Sequence, residues 1–463
     1  MSKARCRYTA PTSAPSAHTN PFDRGPAVSW STARRRARTP RRDGTSAAHR
    51  WPAACVLALI VASEYKFRLR ANDESVSGSP DVFIVLEIAA YSAVAAYLFF
   101  RFRPTSRIRR ADWLTCSAYA YAAVLVLSAL YSPYRELALV RACQVVVVLA
   151  LTRSIARHSS REALHRVAHW FAVLVAGSVV FGVVVPFPRL PTQPDRFTWL
   201  HLHPVDAGQF LAIAVVLLTA YVLGHELPRP GPRWPMPVYL LLLGICAAGL
   251  VGSNTRGAAL GAIVGVLAIA WTRWRGRRRI EVAAALSVGI VLAWLALGQQ
   301  IESFFARGES AERLASLNSR TDLWAYAFDA FTERPLYGYG LTASQGMFLE
   351  EIGLGGGHNG LVNLLVDTGL LGAAVWLFLL GGIIVSAVRL RDIRPEPRMD
   401  RMIVLALIGG LIANSMFTEG LGAPSNVACV WLYLLAAWAS MAGRAQDEAP
   451  ADNATTTDRT ETR

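Results

Sequence analysis

Long apolar runs limit the fold of this chain more than any other feature. They recur through residues 51–443, and each, at about 17 to 22 residues, can cross a hydrocarbon core roughly 30 Å thick as a helix. Hydrophobic residues make up 53% of the chain, which is too apolar for a soluble globular protein. We therefore predict an all-α fold, a polytopic helical bundle integral to a membrane.

The predicted membrane domain covers residues 51–443, between two polar arms. About twelve candidate spans fit its length and apolarity, at 51–66, 81–100, 112–131, 136–152, 167–187, 207–224, 236–252, 257–274, 281–300, 360–387, 402–418 and 425–442. The first is short and resembles the hydrophobic region of a signal peptide. The basic arm at 1–50 and the tail at 444–463 are expected to be disordered, because neither can bury a core.

Arginine placement predicts the orientation. If the N-terminus is cytoplasmic and the spans alternate, the Arg-rich connections at 101–110, 153–166, 273–279 and 389–401 all fall inside, as the positive-inside rule requires. Residues 299–359 then form one long exterior loop among short connections. Long loops of this kind tend to carry function.

Charge and cysteine content exclude two kinds of partner. The net charge of +15 comes from arginines that anchor the loops between spans, so we predict no nucleic-acid partner. The six cysteines are scattered without metal-ligand spacing. We interpret most of them as small buried hydrophobic residues and predict no metal site.

The first candidate site residue is Arg256, in the turn at 253–256 between two apolar spans. Small residues around it allow a ligand to approach the backbone, and the guanidinium supplies a permanent charge with two parallel donors. An arginine that only anchors a helix end at the interface would have the same sequence pattern.

The second candidate is Arg320, at the start of a helical pattern within the long exterior loop. Ser319 is a plausible N-cap and Asp322 lies in the first turn. Trp324, Phe328 and residue 331 form one apolar stripe, so we expect this helix to be amphipathic, lying on the outer leaflet with its aromatic face down. The helix N-terminus adds to the attraction of Arg320 for an anion, although a solvated surface charge is the alternative.

The third candidate is His358, which follows three glycines and precedes the span at 360–387. An imidazole can act as a general base near neutral pH, although a histidine at a helix start is more often structural. Gly357 and Asn359 beside it are candidate substrate-binding residues.

Three further residues are secondary candidates for substrate binding. Arg196 and His203 lie in an exterior stretch rich in aromatic residues, where tryptophan and tyrosine are ordinary interface anchors. Arg141 lies inside the fourth span near its outer end, where a charge usually faces the bundle interior.

Taken together, these motifs resemble those of the O-antigen ligase/polymerase superfamily. The resemblance rests on the order and spacing of 253–257, Arg320 with Trp324, 335–340, and His358 with Asn359. It implies a bacterial membrane glycosyltransferase of the cytoplasmic membrane that acts on the exterior face. The implied donor is an undecaprenyl-diphosphate-linked glycan, and the acceptor is a lipid, glycan or protein.

The resemblance also implies residue roles. Arg256 and Arg320 would bind the diphosphate and stabilise its charge as it leaves, and His358 would activate the acceptor hydroxyl. No metal or other cofactor is implied, although Glu302, Glu309, Glu350 or Glu351 could be the base instead. A flippase or other transporter of lipid-linked glycans, or a non-enzymatic assembly protein, would share the hydrophobicity. A transporter should show polar residues near mid-membrane and internal repeats, whereas most spans here are free of charge and no repeat is apparent; an assembly protein would not explain the exterior cations.

Overall fold

The fold is an all-α bundle, as predicted. The computed structural model describes residues 50–65, 67, 81–102, 112–185, 187, 196–285, 288, 292, 295, 299, 320–353, 355–390, 395–422 and 426–447. Within these residues the regular structure is helical and contains no strand. The predicted arms at 1–50 and 444–463 lie almost wholly outside them.

The helices follow the predicted spans closely. In chain order they are α1 Trp51–Glu64, α2 Val82–Arg101, α3 Trp113–Ser128, α4 Arg135–His158, α5 Arg161–Val184, α6 Pro204–Leu223, α7 Met236–Gly252, α8 Arg256–Arg273, α9 Arg320–Glu333, α10 Ala343–Ile352, α11 Gly360–Arg389, α12 Pro395–Ser415 and α13 Val427–Asp447. Prolines stand in the first turn of α1, α6 and α7, where the missing N–H removes no helical hydrogen bond.

Eight of the described helices are long and apolar enough to cross a membrane. They are α2 to α6, α8, α11 and α13, while α1 and α7 are shorter apolar helices. The chain is therefore a multi-pass membrane protein. The predicted count of about twelve spans stays a prediction, because the candidate at 281–300 lies largely outside the described residues.

Helices α8 and α12 form a close pair. A side chain at Gly261 would begin 2.7 Å from the Gly410 carbonyl oxygen, and one at Gly257 would begin 2.7 Å from the Phe417 Cβ. Small residues let helix backbones approach in this way within a membrane. The pairing fixes the start of α8 against the end of α12.

Hydrogen bonds identify two ends of the bundle. At one end, Thr255 before α8 donates its hydroxyl to the Pro204 carbonyl at the start of α6, and Asn359 before α11 donates to the Met416 carbonyl after α12. We call this the site end. At the other, Arg-rich end, Arg444 of α13 donates to Asp112 before α3 and to the Ala156 carbonyl near the end of α4.

A buried polar cluster, which the sequence analysis did not identify, lies towards the Arg-rich end. The Asp400 carboxylate is fully buried and lies 2.7 Å from Arg161 Nη1 and 3.0 Å from His165 Nε2. Trp438 Nε1 donates to the same carboxylate at 2.8 Å. A buried charge requires partners of this kind. Because these partners lie on different helices, the cluster joins α5, α12 and α13.

Helix α11 contains a break at Gly369, where φ is 62° and ψ is −160°. The amide groups of Leu370 and Leu371 donate to the Pro335 and Leu336 carbonyls at 2.8 and 3.1 Å. In return, Tyr339 N and Gly340 N donate to the carbonyls of residues 366 and 367. Segment 335–340 thus satisfies the backbone groups that the break exposes.

The buried face of α9 is Leu323, Ala327 and Ala330, whereas Phe328 is 61% exposed. Helix α9 docks on α10 and α11 through Leu323 and Ala327, so the expected contact of its aromatic face with the outer leaflet stays a prediction. The interpretation of the cysteines needs correction in part. Cys116 and Cys143 are exposed on the bundle surface, although Cys246 and Cys429 are buried as expected.

The short helix α1 is a packed element of the bundle. Val56, Leu59 and Ile60 are buried, and Ser63 and Tyr65 exchange hydrogen bonds with Tyr91 and Ser178 at 2.9 Å. Its resemblance to the hydrophobic region of a signal peptide stays a prediction.

Candidate functional site

The turn before α8 is held from one side by Arg196. Its Nε donates to the Ser253 carbonyl at 2.9 Å and its Nη2 to Thr255 Oγ1 at 2.7 Å, and the side chain is buried. Asn254 adopts the left-handed backbone conformation with φ of 48°. Arg196, predicted to bind substrate, therefore organises the turn that carries Arg256.

Arg256 is the first residue of α8 and is half-buried at the site end. Gly257 beside it lies against Phe417, and Thr255 before it lies against Gly208 of α6. These contacts leave little freedom to the start of the helix. The guanidinium is thus carried by a fixed backbone, as an anion-binding group requires.

His358 lies in a tightly folded glycine loop before α11. Its φ is 48°, and Gly356 has a φ of 128° that favours glycine. The Gly357 peptide is held on both sides, since its N–H donates to Asn363 Oδ1 at 2.7 Å and its carbonyl accepts from Trp324 Nε1 at 3.1 Å. Helices α9 and α11 therefore both fix the loop.

A carboxylate that the sequence analysis missed lies against this loop. Glu419 accepts a hydrogen bond from His358 N at 3.4 Å, and its Oε1 is only 1.9 Å from where a side chain at Gly356 would begin. Burial raises the pKa of Glu419 to about 7, although the hydrogen bond from His358 N lowers it, and the charge of Asp367 raises it. Glu419 can therefore change its charge near neutral pH.

The segment from Asn414 to Gly422 connects the parts of the site. Phe417 touches the start of α8, Glu419 touches the glycine loop, and Gly420 touches Gln209 of α6. Gly422 lies against Gly360 at the start of α11. Helices α6, α8 and α11 therefore all contact this one short segment.

His203 faces the same region from α6. Its Nδ1 accepts from Val205 N at 3.2 Å and caps the helix. Burial, and then the charges of Arg196 and His358, lower the pKa of His203 to about 4. His203 is therefore neutral at physiological pH, and its electrostatic coupling to His358 places both imidazoles at the site end.

Two acidic residues complete the surroundings. Asp206, in the first turn of α6, lies within electrostatic range of Glu419. Asp367 of α11 is buried and accepts hydrogen bonds from Ser344 N at 2.7 Å and Thr342 N at 3.2 Å. Asp367 thus fixes the start of α10, and its charge also raises the pKa of Glu419.

The remaining predicted site residues are Asn359, Arg320 and Arg141. Asn359 caps α11 by accepting from Leu361 N at 2.9 Å. Arg320 is the first residue of α9, as expected, but its side chain and Ser319 lie outside the described residues. Arg141 donates to Glu87 at 3.3 Å and Gln144 at 2.9 Å, between α2 and α4. The structure therefore gives Arg141 a helix-packing contact.

Two of the alternative bases, Glu350 and Glu351, lie on α10. Glu350, on α10, accepts from Tyr134 Oη at 2.6 Å on an exposed surface. Glu302 and Glu309 lie outside the described residues. Within the described part of the chain, no group of three or more His, Cys, Asp or Glu side chains is arranged to hold a metal ion.

Comparison with known families bears on the segment that carries these groups. Residues 240–377 match the family model described as O-antigen ligase. This segment is therefore similar to the O-antigen ligases. The match runs from α7 into α11, so it contains Arg256, Arg320 and His358, and it confirms the resemblance to the O-antigen ligase/polymerase superfamily. No curated protein matches the chain.

Three residues at the site end lie outside the matched segment, namely Arg196, His203 and Glu419. Arg196 and His203 precede the match, and Glu419 follows it by 42 residues, from 377 to 419. A sequence signal for Glu419 did exist, since it is a lone acidic residue in the predicted last exterior loop. Only the fold shows that this loop returns to His358.

Proposed function

We propose that this protein transfers a glycan from an undecaprenyl-diphosphate carrier to an acceptor hydroxyl at the outer face of the bacterial cytoplasmic membrane. The observation that carries the proposal is the 414–422 segment, which contacts the elements that bear His203, Arg256 and His358, and in which Glu419 lies against the His358 loop. The O-antigen ligase match supports the same reaction class.

In the proposed reaction, Arg256 and Arg320 bind the diphosphate. The acceptor oxygen attacks the anomeric carbon while the bond from that carbon to the diphosphate oxygen breaks, so the configuration inverts. The bonding electrons leave with the diphosphate, whose growing charge the two guanidiniums stabilise. No metal is required for this step, since the arginines supply the positive charge.

His358 is proposed to take the proton of the acceptor hydroxyl. Its loop is fixed through Gly357, so the backbone that carries the imidazole is held in one place. An ionised Glu419 beside the loop favours the imidazolium that forms, because an opposite charge stabilises the protonated ring. His203, which stays neutral, adds no competing positive charge to the site.

The test is the lipid-linked glycan profile of membranes that carry wild type, no protein, or His358→Ala. We expect wild type alone to extend single lipid-linked repeats into a ladder, or to move glycan onto another acceptor. The variant should insert normally yet lose at least about a hundredfold in rate, as removal of a general base does. A ladder identifies a polymerase, and a new glycosylated acceptor identifies a ligase.

Transport is the competing function, because discontinuous helices are common in transporters. The break in α11 differs from theirs, since segment 335–340 occupies its backbone groups. Identical glycan profiles in all three membranes would overturn the transferase and leave transport or assembly as the function.

A further inference from the structure

Segment 335–340 has one end packed against the bundle and one end that faces outward. Gly338 lies against the Val366 carbonyl and Gly340 lies against Ser132, and both glycines are buried. By contrast, the side chain of Leu336 is 66% exposed and that of Tyr337 is 53% exposed. We call Leu336 and Tyr337 the outward pair, because together they present an apolar surface away from the bundle.

The outward pair continues the exposed surface of two membrane spans. Tyr131 ends the apolar stretch Trp113–Tyr131, which contains α3 and is long enough to cross a membrane, and its ring lies 5.9 Å from that of Tyr337. On the other side, Leu370 and Leu371 of α11 are joined to the segment through their amide groups. Tyr131 and both leucines are exposed, as apolar residues of a span are where they contact lipid.

The backbone carbonyls of the outward pair have partners within the protein. The Pro335 and Leu336 carbonyls accept the two amide groups that the break in α11 exposes, at 2.8 and 3.1 Å. The Tyr337 carbonyl accepts from Tyr131 Oη at 2.6 Å. Hydrocarbon requires such pairing because it contains no water to bind a carbonyl, whereas a loop in water does not need it.

The distribution of charge around the outward pair is that of a membrane interface. Residues 335–349 contain no charged side chain. Arg334, directly before them, is exposed and lies over the Tyr339 ring at 4.5 Å, and Arg135 at the start of α4 is also exposed. Arginine and tyrosine beside an apolar surface are typical of the boundary between hydrocarbon and water.

We propose that Leu336 and Tyr337 are embedded in the hydrocarbon of the bilayer and anchor the region between α9 and α10 to the membrane. The partner is the acyl chains of the lipids that surround α3 and α11. The segment is therefore a membrane contact of the protein in addition to its spans. This inference does not depend on the proposed transferase activity.

The test is spin labelling of the full chain in vesicles of phosphatidylethanolamine and phosphatidylglycerol. In a variant without native cysteines, a nitroxide is attached in Leu336→Cys and, separately, in Tyr337→Cys. Power saturation then compares collisions with oxygen, which concentrates in hydrocarbon, and with a nickel chelate, which stays in water. At both positions we expect the ratio of oxygen to nickel collisions to be severalfold higher than in the control Asp329→Cys, an exposed position on α9.

Leu127→Cys supplies the reference value for a lipid-facing span, since Leu127 is an exposed residue of α3. Ratios at the outward pair close to this reference support the proposal. A ratio equal to that of Asp329→Cys would show that the segment faces water, and the proposal would be wrong. Labels that neither reagent reaches would show that protein covers the pair, which would also overturn it.

Cysteine at these positions should preserve the docking of the segment. The side chains are exposed, and the hydrogen bonds to α11 and Tyr131 are made by backbone carbonyls. Unfolding temperatures of the labelled variants close to that of the cysteine-free parent check this. The two positions are measured independently, so either one alone can contradict the proposal.

Discussion

Arg196 and Arg256 are both associated with the turn at 253–256, but they have different tasks. Arg196 is buried, and two of its donors bind the turn at 2.9 and 2.7 Å. Arg256 is half-buried at the first position of α8. The Arg196 guanidinium therefore holds the turn in place, and the Arg256 guanidinium at the end of the turn is proposed to bind the substrate.

Lysine substitution separates these tasks. Arg256→Lys keeps the charge but loses the paired donors, so we expect a loss of about tenfold or more in kcat/KM with little change in thermal stability. Arg196→Lys should lower both, because one ammonium cannot reach both acceptors. Full activity in Arg256→Lys would reduce Arg256 to a helix anchor.

Glu419 predicts how activity depends on pH. Its pKa is raised to about 7, so the ionised form and the transfer rate should increase as pH rises through that value. The folded state favours the protonated form, so the Glu419 contribution to stability should fall as pH rises from the ordinary glutamate pKa of 4.5 to about 7. Glu419→Gln should lose the acidic limb and show no such fall, measured as kcat/KM and as thermal unfolding against pH.

At the level of elements, segment 335–340 docks on the break in α11. Gly369 has a positive φ, and a side chain there would begin 2.5 Å from the Leu336 carbonyl carbon. The helix break and the segment that fills it therefore depend on each other.

Gly369→Ala tests that dependence. We expect it to destabilise the protein by about 2 kcal/mol or more, because it adds both a clash and backbone strain. Gly381→Ala is the control on the same helix, since nothing lies within 4 Å of its modified position. It should be neutral or stabilising by up to about 1 kcal/mol, and equal unfolding temperatures for the two variants would contradict the docking.

Helix positions were predictable from sequence because apolar length alone specifies a span. The predicted 236–252 and 360–387 correspond to Met236–Gly252 and Gly360–Arg389. The break at Gly369, helix α10 and the packed face of α9 were not predictable, since each depends on backbone or side-chain contacts between distant residues. Phe328 shows the limit, because an apolar residue in a membrane protein can face outward without cost.

For the whole molecule, Arg256 and His358 were predicted to share a side because both follow from span alternation. Their common location at the site end agrees with that prediction. Glu419 and Asn363 were missed, because no local pattern indicates which loop returns to the glycines. The predicted orientation of the site end towards the exterior stays a prediction.

Cysteine labelling tests the orientation. In a variant without native cysteines, Asp322→Cys on the exposed side of α9 should react with a membrane-impermeant thiol reagent in intact cells. Arg277→Cys, whose native side chain is 93% exposed near the Arg-rich end, should react only after permeabilisation. The opposite pattern would place the site end in the cytoplasm and remove a lipid-linked exterior donor from consideration.

The break in α11 also bears on how the chain enters the bilayer. Segment 335–340 precedes α11 in the chain, so it is synthesised first. Unpartnered amide groups cost several kcal/mol in hydrocarbon, so we expect α11 to enter the bilayer as one continuous helix while segment 335–340 is undocked. The break should then form on docking, so the bent shape of α11 depends on a partner outside the helix.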